Sequence, residues 1–345
     1  MVVCISNHQS YLDWIYTWVL FYYFNHHGSL VIILKSTLKW GQYSPSPSLL
    51  SLQSLTSART VPVVGPAMQI FNFIFLKAKG WELDSTPTGI QLDGLAKRAM
   101  KTTDEERKKL SLLVYPEGTL VSKLTRPGSL RFAERKGIVR ISPSPSRTCK
   151  LIRCERQQPD LQNLLLPRST GTLFSLRALA SKIPDCGFYD LTIGYPGVPP
   201  HGYAQSYYTI ASVFARSQPP PSVHIHIRRI PLDDIPFAAH SLSPTLKAKE
   251  LDAALSIEER EVFDEWLRKL WTSKDALLES FALNGEFKTS SIEGGKNAKR
   301  LEIPISVRGV DDYLLIGLNF LPIYLAYKGV YYAYVYYGWK HWLGA

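Results

Sequence analysis

Short runs of apolar residues alternate along this chain with longer segments of helical periodicity. Val2–Ile5, Leu30–Leu34 and Leu110–Tyr115 have the length and composition of buried strands. Tyr11–Phe24 follows the first run as an apolar, aromatic helix, and Gln91–Lys101 has the pattern of a helix of mixed charge. Strands and helices that alternate in this way pack as a sheet with helices on its faces, so the sequence predicts an α/β fold.

Later segments extend the same pattern. Phe71–Leu76 and Asn163–Leu166 are further strand candidates, and His224–Arg228 alternates with a period of two, as a strand does. The two histidines of the last segment share one face, which favours an exposed polar face over a metal site. Ser256–Glu259 is a capping box that begins a helix. The apolar residues of that helix fall on one face: Val262, Phe263, Trp266, Leu267, Leu270 and Trp271.

The composition excludes some classes of protein. The chain has 345 residues, a formal net charge of +11 and 45% hydrophobic residues, which is too much apolar material for a disordered chain. Its four cysteines form no disulfide scaffold, and the spacing of Cys149 and Cys154 does not favour zinc. The positive charge indicates a polyanionic partner, either nucleic acid or an anionic membrane surface. The basic residues are scattered and form no nucleic-acid motif, so a membrane is favoured.

The C-terminal segment, residues 301–345, differs in character from the rest. Tyr313–Tyr337 is apolar and aromatic with a single charge, Lys328, and is long enough to cross a bilayer as a helix. Pro322 and Gly329 argue against one uninterrupted span, so two short passes or an interfacial hairpin also remain open, as does a buried core helix. We expect a helical, membrane-associated C-terminal region.

Two low-complexity segments interrupt the pattern. Residues 41–60 and 138–158 are rich in Ser, Pro and Arg, and each contains the pentapeptide SPSPS. They are interpreted as ordered surface loops, as flexible phosphorylatable loops, or as translated non-coding sequence. The third hypothesis is favoured because both insertions are in frame and break otherwise coherent sequence. It predicts that the mature transcript lacks both segments.

The first group of residues that could take part in a reaction is Asn7-His8-Gln-Ser-Tyr-Leu-Asp13. Five steps on a regular helix would turn His8 and Asp13 away from one another. They can meet if His8 lies in the turn after the first strand and Asp13 lies in the first turn of the helix. Asp13 would then accept a hydrogen bond from one imidazole nitrogen and leave the other free as a base. Alone, the pattern is also explained by a capping aspartate and an incidental histidine.

The second group is Pro116-Glu117-Gly118-Thr119, which follows a predicted strand. Gly118 allows close approach of the backbone, and backbone N–H groups with the Thr119 hydroxyl could hold a phosphate. The Glu117 carboxylate would repel phosphate. It is better suited to holding a glycerol hydroxyl or orienting a basic residue.

With these two groups the sequence resembles the glycerolipid acyltransferases, the lysophosphatidic-acid acyltransferase-like family. Asn7–Asp13 resembles its motif I and Pro116–Thr119 its motif III. Val61–Met68, with the residues up to Asp84, is similar to motif II, and Leu165–Gly171 is similar to motif IV. The later segments are most similar to the branch that contains the lysocardiolipin and lysophosphatidylinositol acyltransferases and their fungal relatives.

The resemblance implies a fold, a reaction and a site. The fold would be a mixed, mostly parallel sheet flanked by helices. An acyl-CoA co-substrate would donate its acyl chain to the free hydroxyl of an anionic lysophospholipid, with no other cofactor and no metal. His8 would be the general base, supported by Asp13. The substrate-binding residues would be Glu117, Gly118, Thr119, Lys77, Lys79 and Arg168. The family also implies a location in the endoplasmic reticulum membrane.

The resemblance divides the chain into an acyltransferase domain at 1–235, a helical extension and linker at 236–300, and the hydrophobic segment at 301–345. Two departures stand out. Lys77 and Lys79 occupy the place where motif II usually has an arginine, and His8 is the eighth residue although the family usually has a membrane segment before motif I. The alternatives are therefore a catalytically impaired membrane-bound remnant or truncated gene product, a thioesterase-like hydrolase, and a nucleic-acid binder.

Overall fold

The structure is a computed structural model that describes residues 1–26, 29–35, 73–76, 81–100, 109–138, 161–183, 185–287 and 299–304, together with 324–325, 327–329, 331–332 and 335. The chain divides into two compact units, Met1–Glu293 and Gly294–Ala345.

A six-stranded sheet forms the centre of the described part of the first unit. Its strands are β1 (Val2–Ser6), β2 (Leu30–Lys35), β3 (Ile74–Leu76), β4 (Ser111–Val114), β5 (Gly187–Gly194) and β6 (His224–Ile230). They lie in the order β3-β2-β4-β1-β5-β6. Neighbouring strands from β3 to β5 are parallel, and β6 is antiparallel to β5. The predicted mixed, mostly parallel sheet is confirmed.

Both faces of the sheet are covered, which explains why its strands read as continuous apolar runs. Val3 and Ile5 of β1 belong to one buried cluster, whereas Cys4 between them belongs to another on the opposite face. The first cluster is the larger one and includes Phe174 and Trp271 from covering helices. The strand residues therefore contribute to two cores at once.

The helices are α1 (Asp13–Tyr23), α2 (Trp81–Ala99), α3 (Arg126–Arg135), α4 (Ser169–Ala180), α5 (Ala204–Tyr207), α6 (Ala248–Ala253) and α7 (Ile257–Asn284). Helix α1 covers one face of the sheet, where Phe21 packs with Cys4 and Leu30. Helices α2, α4 and α7 cover the opposite face. Helices on both faces of a largely parallel sheet are the arrangement that the sequence predicted.

Helix α7 begins at the predicted capping box. The Ser256 hydroxyl accepts from the Glu259 N–H at 3.1 Å, and the Glu259 carboxylate accepts from the Ser256 N–H at 2.8 Å. The helix ends at Asn284 and is followed by the capping residue Gly285, whose φ of 75° suits glycine. Of the predicted apolar face, Phe263, Leu267, Leu270 and Trp271 are buried and Trp266 is partly buried. The prediction for Val262 was wrong, because its side chain is 54% exposed.

Two sequence interpretations need correction. Asn163–Leu166 is not a strand but an irregular segment, although Leu164 and Leu165 are buried. The two histidines of β6 do not form an exposed polar face. They are half-buried, with the ring of His224 against Phe281 and the ring of His226 against Phe287.

Several predictions fall on residues that the structure does not describe. These are the insertion at 41–60, residues 139–158 of the second insertion, Lys77, Lys79 and most of Tyr313–Tyr337. Of the helices in the described residues, none combines the length and the apolar character that a membrane span needs. The membrane-associated C-terminal region stays a prediction, as do the domain boundaries drawn from the sequence.

Candidate active site

Three adjacent strands, β4, β1 and β5, run parallel and end at the same edge of the sheet. A polar or aromatic segment follows each strand. His8 comes after β1, Glu117 after β4 and Tyr195 directly after β5. In α/β sheets the carboxyl ends of the strands are where ligands bind. The topology thus brings together residues that are far apart in the sequence.

The His8–Asp13 pair forms as the sequence predicted. His8 lies in the turn after β1, and Asp13 is the first residue of α1. The Nδ1 atom of His8 lies 2.8 Å from Oδ2 of Asp13. Since an ionised carboxylate can only accept a hydrogen bond, the imidazole proton is on Nδ1 and Nε2 keeps its lone pair. This is the arrangement of a general base.

Asp13 is fully buried and held by several donors. Its Oδ2 atom also accepts from the backbone N–H groups of Gln9, at 2.6 Å, and Ser10, at 3.0 Å. Its Oδ1 atom accepts from the hydroxyl of Tyr195. Donors to both oxygens compensate the cost of burying the charge. The carboxylate is consequently ordered before any substrate binds.

The imidazole of His8 is fixed on its face as well as at its edge. Its ring stacks on Tyr115 with centroids 4.4 Å apart and an interplanar angle of 26°. The side chain keeps 18% exposure, whereas Asp13 has none. The base is thus partly accessible while its supporting carboxylate is shielded from water.

Glu117 connects the turn of His8 to the segment before α4. Its Oε1 accepts from the backbone N–H of His8 at 3.1 Å, and its Oε2 accepts from the backbone N–H of Leu165 at 3.1 Å. The residue is 2% exposed. Burial raises the pKa of the Glu117 carboxyl from 4.5 to about 8, and the hydrogen bonds from Leu165 and His8 offset only part of that rise. This geometry favours a role in positioning His8 over direct contact with a glycerol hydroxyl.

The raised pKa of Glu117 leads to a pH prediction. Between about pH 4.5 and about pH 8 the folded chain keeps a proton that the unfolded chain has released. The contribution of Glu117 to the free energy of unfolding therefore falls as the pH rises through this window and levels off above it. In Glu117→Gln the side chain cannot ionise, so this pH-dependent contribution to stability is absent. We expect the thermal unfolding midpoint to fall between pH 6 and pH 8.5 by more in the wild type than in Glu117→Gln. An equal decrease in both proteins would contradict the prediction.

Gly118 and Arg168 lie together at the same edge. The backbone of Gly118 has a φ of +67°, and the backbone N–H of Arg168 donates to the carbonyl of Pro116 at 2.8 Å. A Cβ atom on Gly118 would lie 3.8 Å from Cδ of Arg168, so the side chain passes directly over the glycine. Arg168 is exposed and its guanidinium lies over the ring of Phe132, at 5.4 Å. Thr119 is half-buried in the same turn.

Charged side chains fix the segment that leads to Arg168. Asp275 of α7 accepts from the backbone N–H groups of Gln162, at 3.0 Å, and Asn163, at 2.8 Å. Arg126 of α3 donates to the carbonyl of Leu161 at 2.8 Å. These bonds hold the segment in an irregular path next to the turn of Glu117.

The sequence analysis missed some of the residues that build this site. Tyr195, which contacts Asp13, was not among the candidate site residues. Asn7 was quoted only as part of a motif, yet its buried amide bonds both backbone groups of Ile193, accepting from the N–H at 2.8 Å and donating to the carbonyl at 3.0 Å. The signal available for both was their position directly after a buried strand.

The predicted substrate ligands Lys77 and Lys79 lie outside the described residues, so the site is drawn without them. Within the ranges that the structure describes, His, Cys, Asp and Glu side chains form no group that could hold a metal ion. The described residues offer proton transfer at His8, with the guanidinium of Arg168 nearby to attract an anion.

Comparison with known proteins finds relatives of the chain. A family model described as Acyltransferase matches residues 1–44. The 2-acyl-1-lysophosphatidylinositol acyltransferase of Saccharomyces cerevisiae is 29% identical over 310 residues, covering 83% of this chain and 62% of that protein. A probable 1-acyl-sn-glycerol-3-phosphate acyltransferase of Arabidopsis thaliana is 27% identical, with 87% and 58% covered. Lysocardiolipin acyltransferase 1 of Danio rerio is 24% identical, with 81% and 52% covered.

The chain spans about three fifths or less of the length of these relatives. The matches nevertheless confirm the resemblance to the glycerolipid acyltransferases, including the fungal members. They support an acyltransferase enzyme, as the sequence predicted.

Proposed function

We propose that this chain, which is similar to acyltransferases over most of its length, transfers an acyl group from acyl-CoA to the free hydroxyl of an anionic lysophospholipid. The observation that carries the proposal is the His8–Asp13 pair at 2.8 Å, with the base partly open and the carboxylate closed off. The relatives are named for lysophosphatidylinositol, lysocardiolipin and 1-acyl-glycerol-3-phosphate acceptors, and these acceptors define the substrate class.

The reaction uses His8 as a general base. Nε2 of His8 takes the proton of the acceptor hydroxyl as that oxygen attacks the thioester carbonyl carbon. A carbon–oxygen bond forms, the carbon–sulfur bond breaks, and the CoA thiolate leaves with the proton returned by the imidazolium. Asp13 keeps the imidazole in the tautomer that this step needs. Because the thioester is already activated, no nucleophilic side chain is required.

The phosphate of the lysophospholipid is assigned to the turn of Gly118 and Thr119 with Arg168 above it. The guanidinium group suits bidentate contacts with phosphate oxygens, and the side chain is exposed to a ligand. Lys77 and Lys79 complete the proposed set of basic ligands. The net charge of +11 suits both CoA phosphates and an anionic membrane surface.

Replacing Arg168 with alanine should raise the KM for the lysophospholipid about tenfold to a hundredfold, with a smaller change for acyl-CoA. A charge-assisted hydrogen bond contributes about 1.5–3 kcal/mol, which sets this range. The measurement is a kinetic titration of each substrate. The matched control is Arg131→Ala, an exposed arginine of α3 whose side chain contacts its own helix at the Pro127 carbonyl. Equal effects of the two changes would contradict the assignment.

The proposed location is an intracellular membrane, the endoplasmic reticulum in particular. The proposal depends on the family resemblance and on the apolar C-terminal segment of the sequence. Fractionation of cells that express the tagged chain tests it. Recovery in the cytosol after mild lysis would contradict it.

The function is tested with membranes from cells that express this chain. They receive acyl-CoA labelled in the acyl group, with lysophosphatidylinositol, lysophosphatidic acid or lysocardiolipin as acceptor and lysophosphatidylcholine as the zwitterionic comparison. We expect labelled phospholipid with the anionic acceptors, above the amount formed by membranes that lack the chain. The most active acceptor identifies the head group.

Other products distinguish the alternatives. Labelled free fatty acid without phospholipid would indicate a thioesterase-like hydrolase, in which water replaces the alcohol. No product from a well-expressed chain would indicate an impaired or incomplete enzyme, and the proposal would fail. The same assay on a chain without residues 41–60 and 138–158 then tests whether those segments are responsible.

A further inference from the structure

An aromatic side chain that the motifs leave without a role contacts the carboxylate of the candidate catalytic pair. Tyr195 is the first residue after β5 and its side chain is 3% exposed. Its hydroxyl donates to Oδ1 of Asp13 at 2.5 Å. The contact joins β5 to the start of α1, so a residue far along the chain reaches the turn that contains His8.

The two oxygens of Asp13 have different partners. Oδ2 accepts hydrogen bonds from Nδ1 of His8 and from the backbone N–H groups of Gln9 and Ser10, which all lie in the same turn. Oδ1 accepts a hydrogen bond from the hydroxyl of Tyr195. The terminal torsion of an aspartate is broad, so contacts to one oxygen alone leave the carboxylate plane poorly fixed. A donor to the second oxygen, from a different element, fixes that plane and with it the direction of the bond to His8.

Tyr195 is itself held in place. Its ring packs against Tyr16 of α1, with centroids 5.9 Å apart, and against Tyr208, at 5.8 Å. Two residues earlier, the backbone of Ile193 is bonded at both its N–H and its carbonyl by the side chain of Asn7, the residue before His8. The distance between the Tyr195 hydroxyl and the His8 turn is thus set by a paired backbone and a packed ring.

We propose that Tyr195 is a positioning residue for the acyl transfer, fixing the Asp13 carboxylate so that the His8 imidazole is aligned as a base. The proposal rests on the proposed function of the His8–Asp13 pair. Tyr195 acts through Asp13 and does not touch the reacting atoms.

The protonation state of Tyr195 is consistent with this role. Burial, together with the negative charge of Asp13, raises the pKa of the Tyr195 hydroxyl well above its usual range, so it stays a donor at any working pH. The titratable groups around the pair come from several elements. Those that face Asp13 or His8 are Tyr16, Tyr115, Tyr195 and Glu117, and Lys274 acts on Glu117 from α7.

The test is Tyr195→Phe, which keeps the ring and removes the hydroxyl. We expect kcat to fall about tenfold, since one hydrogen bond to a charged group is lost, while KM for acyl-CoA and for the lysophospholipid stays unchanged. The acid limb of the pH–rate profile should move to higher pH, because a carboxylate with one donor fewer retains the imidazolium proton more strongly. A residue needed only for folding would not shift that limb.

The matched control is Tyr208→Phe. Tyr208 packs on Tyr195 in the same aromatic cluster, but its hydroxyl donates to the carbonyl of Pro196, at 2.7 Å, and not to Asp13. We expect this variant to keep the wild-type rate and pH profile. Equal losses in the two variants, a change confined to KM, or an unshifted acid limb in Tyr195→Phe would overturn the proposal.

A measurement independent of turnover separates this proposal from the proposed function. The Nδ1 proton of His8, shared with Asp13, should give a low-field proton NMR signal in the wild type. We expect Tyr195→Phe to broaden it through faster exchange with water and Tyr208→Phe to leave it unchanged. If the wild-type chain transfers no acyl group and this result still holds, the function fails while the alignment by Tyr195 stands. If the signal is the same in all three proteins, the alignment fails.

Discussion

Replacing His8 with alanine is expected to lower the rate of acyl transfer by about 10²–10⁴-fold, the usual contribution of a positioned general base. His8 is the one group of the pair that is open to substrate, with 18% exposure, and Asp13 binds its Nδ1, so that Nε2 is the nitrogen left for the substrate. The acceptor hydroxyl in the variant would attack without losing its proton first. The measurement is kcat/KM for both substrates in membranes with matched amounts of protein.

The control for this prediction is His240→Ala. His240 is 75% exposed and pairs with Glu259 at 3.2 Å, at the start of α7 and away from the ends of β1 and β4. Its loss should leave the rate unchanged. A chain with alanine at position 8 that retained more than a tenth of the wild-type rate would show that another group, or water alone, takes the proton.

The sheet was largely predictable because its signal is local. The strands β1, β2 and β4 were expected from their sequence, since strands buried on both faces need short apolar runs with polar turns on either side. Strand β6 was expected from its alternation with a period of two. Helix α7 was predictable for a similar reason. Its capping box and its apolar face are both properties of neighbouring residues.

The segment Asn163–Leu166 shows where local signal fails. Its apolar character predicted a strand, but its backbone donors bond to carboxylates from elsewhere in the chain. Asp275 of α7 accepts from Asn163, and Glu117 accepts from Leu165. Side chains have replaced the sheet as hydrogen-bond partners for this segment. Nothing within the segment encodes that choice, because the acceptors are more than forty residues away, with separations of 112 and 48.

The site was predictable only where its residues are close in the sequence. His8 and Asp13 lie five residues apart, so their pairing could be proposed from one turn of chain. Tyr195 could not, because its contact with Asp13 depends on the parallel pairing of β5 with β1. Glu117 was identified from its motif, whereas its bond to the backbone of His8 depends on the pairing of β4 with β1. The contacts of Tyr195 and Glu117 with the His8–Asp13 turn therefore depend on the order of the strands, which the spacing of residues in the sequence does not reveal.

Replacing Lys274 with methionine is expected to lower the free energy of unfolding by about 3–5 kcal/mol, the usual cost of removing one partner of a buried ion pair. Lys274 lies in α7 and is 1% exposed. Its ammonium contacts Oδ1 of Asp190 at 2.5 Å and donates to the carbonyl of Leu191 at 2.5 Å. Burial lowers the pKa of Lys274, and the charge of Asp190 opposes that change. Without the ammonium, the carboxylate of Asp190 keeps only the more distant guanidinium of Arg228, at 3.2 Å, as a partner among the described residues.

The expected readout is a fall in the thermal unfolding midpoint on the order of ten degrees for a domain of this size. Lys269→Met is the matched control, because Lys269 lies on the same helix and makes an exposed pair with Glu265 at 2.9 Å. Such a pair contributes about 0.3–0.5 kcal/mol, so its midpoint should change by about one degree. Adding Asp190→Asn to the methionine variant removes the buried carboxylate that has lost its closer partner and should restore much of the loss. Since Asp190 lies in β5, five residues before Tyr195, partial unfolding here would also loosen Asp13. A midpoint in Lys274→Met as high as in Lys269→Met would show that the buried pair does not hold α7 to the sheet.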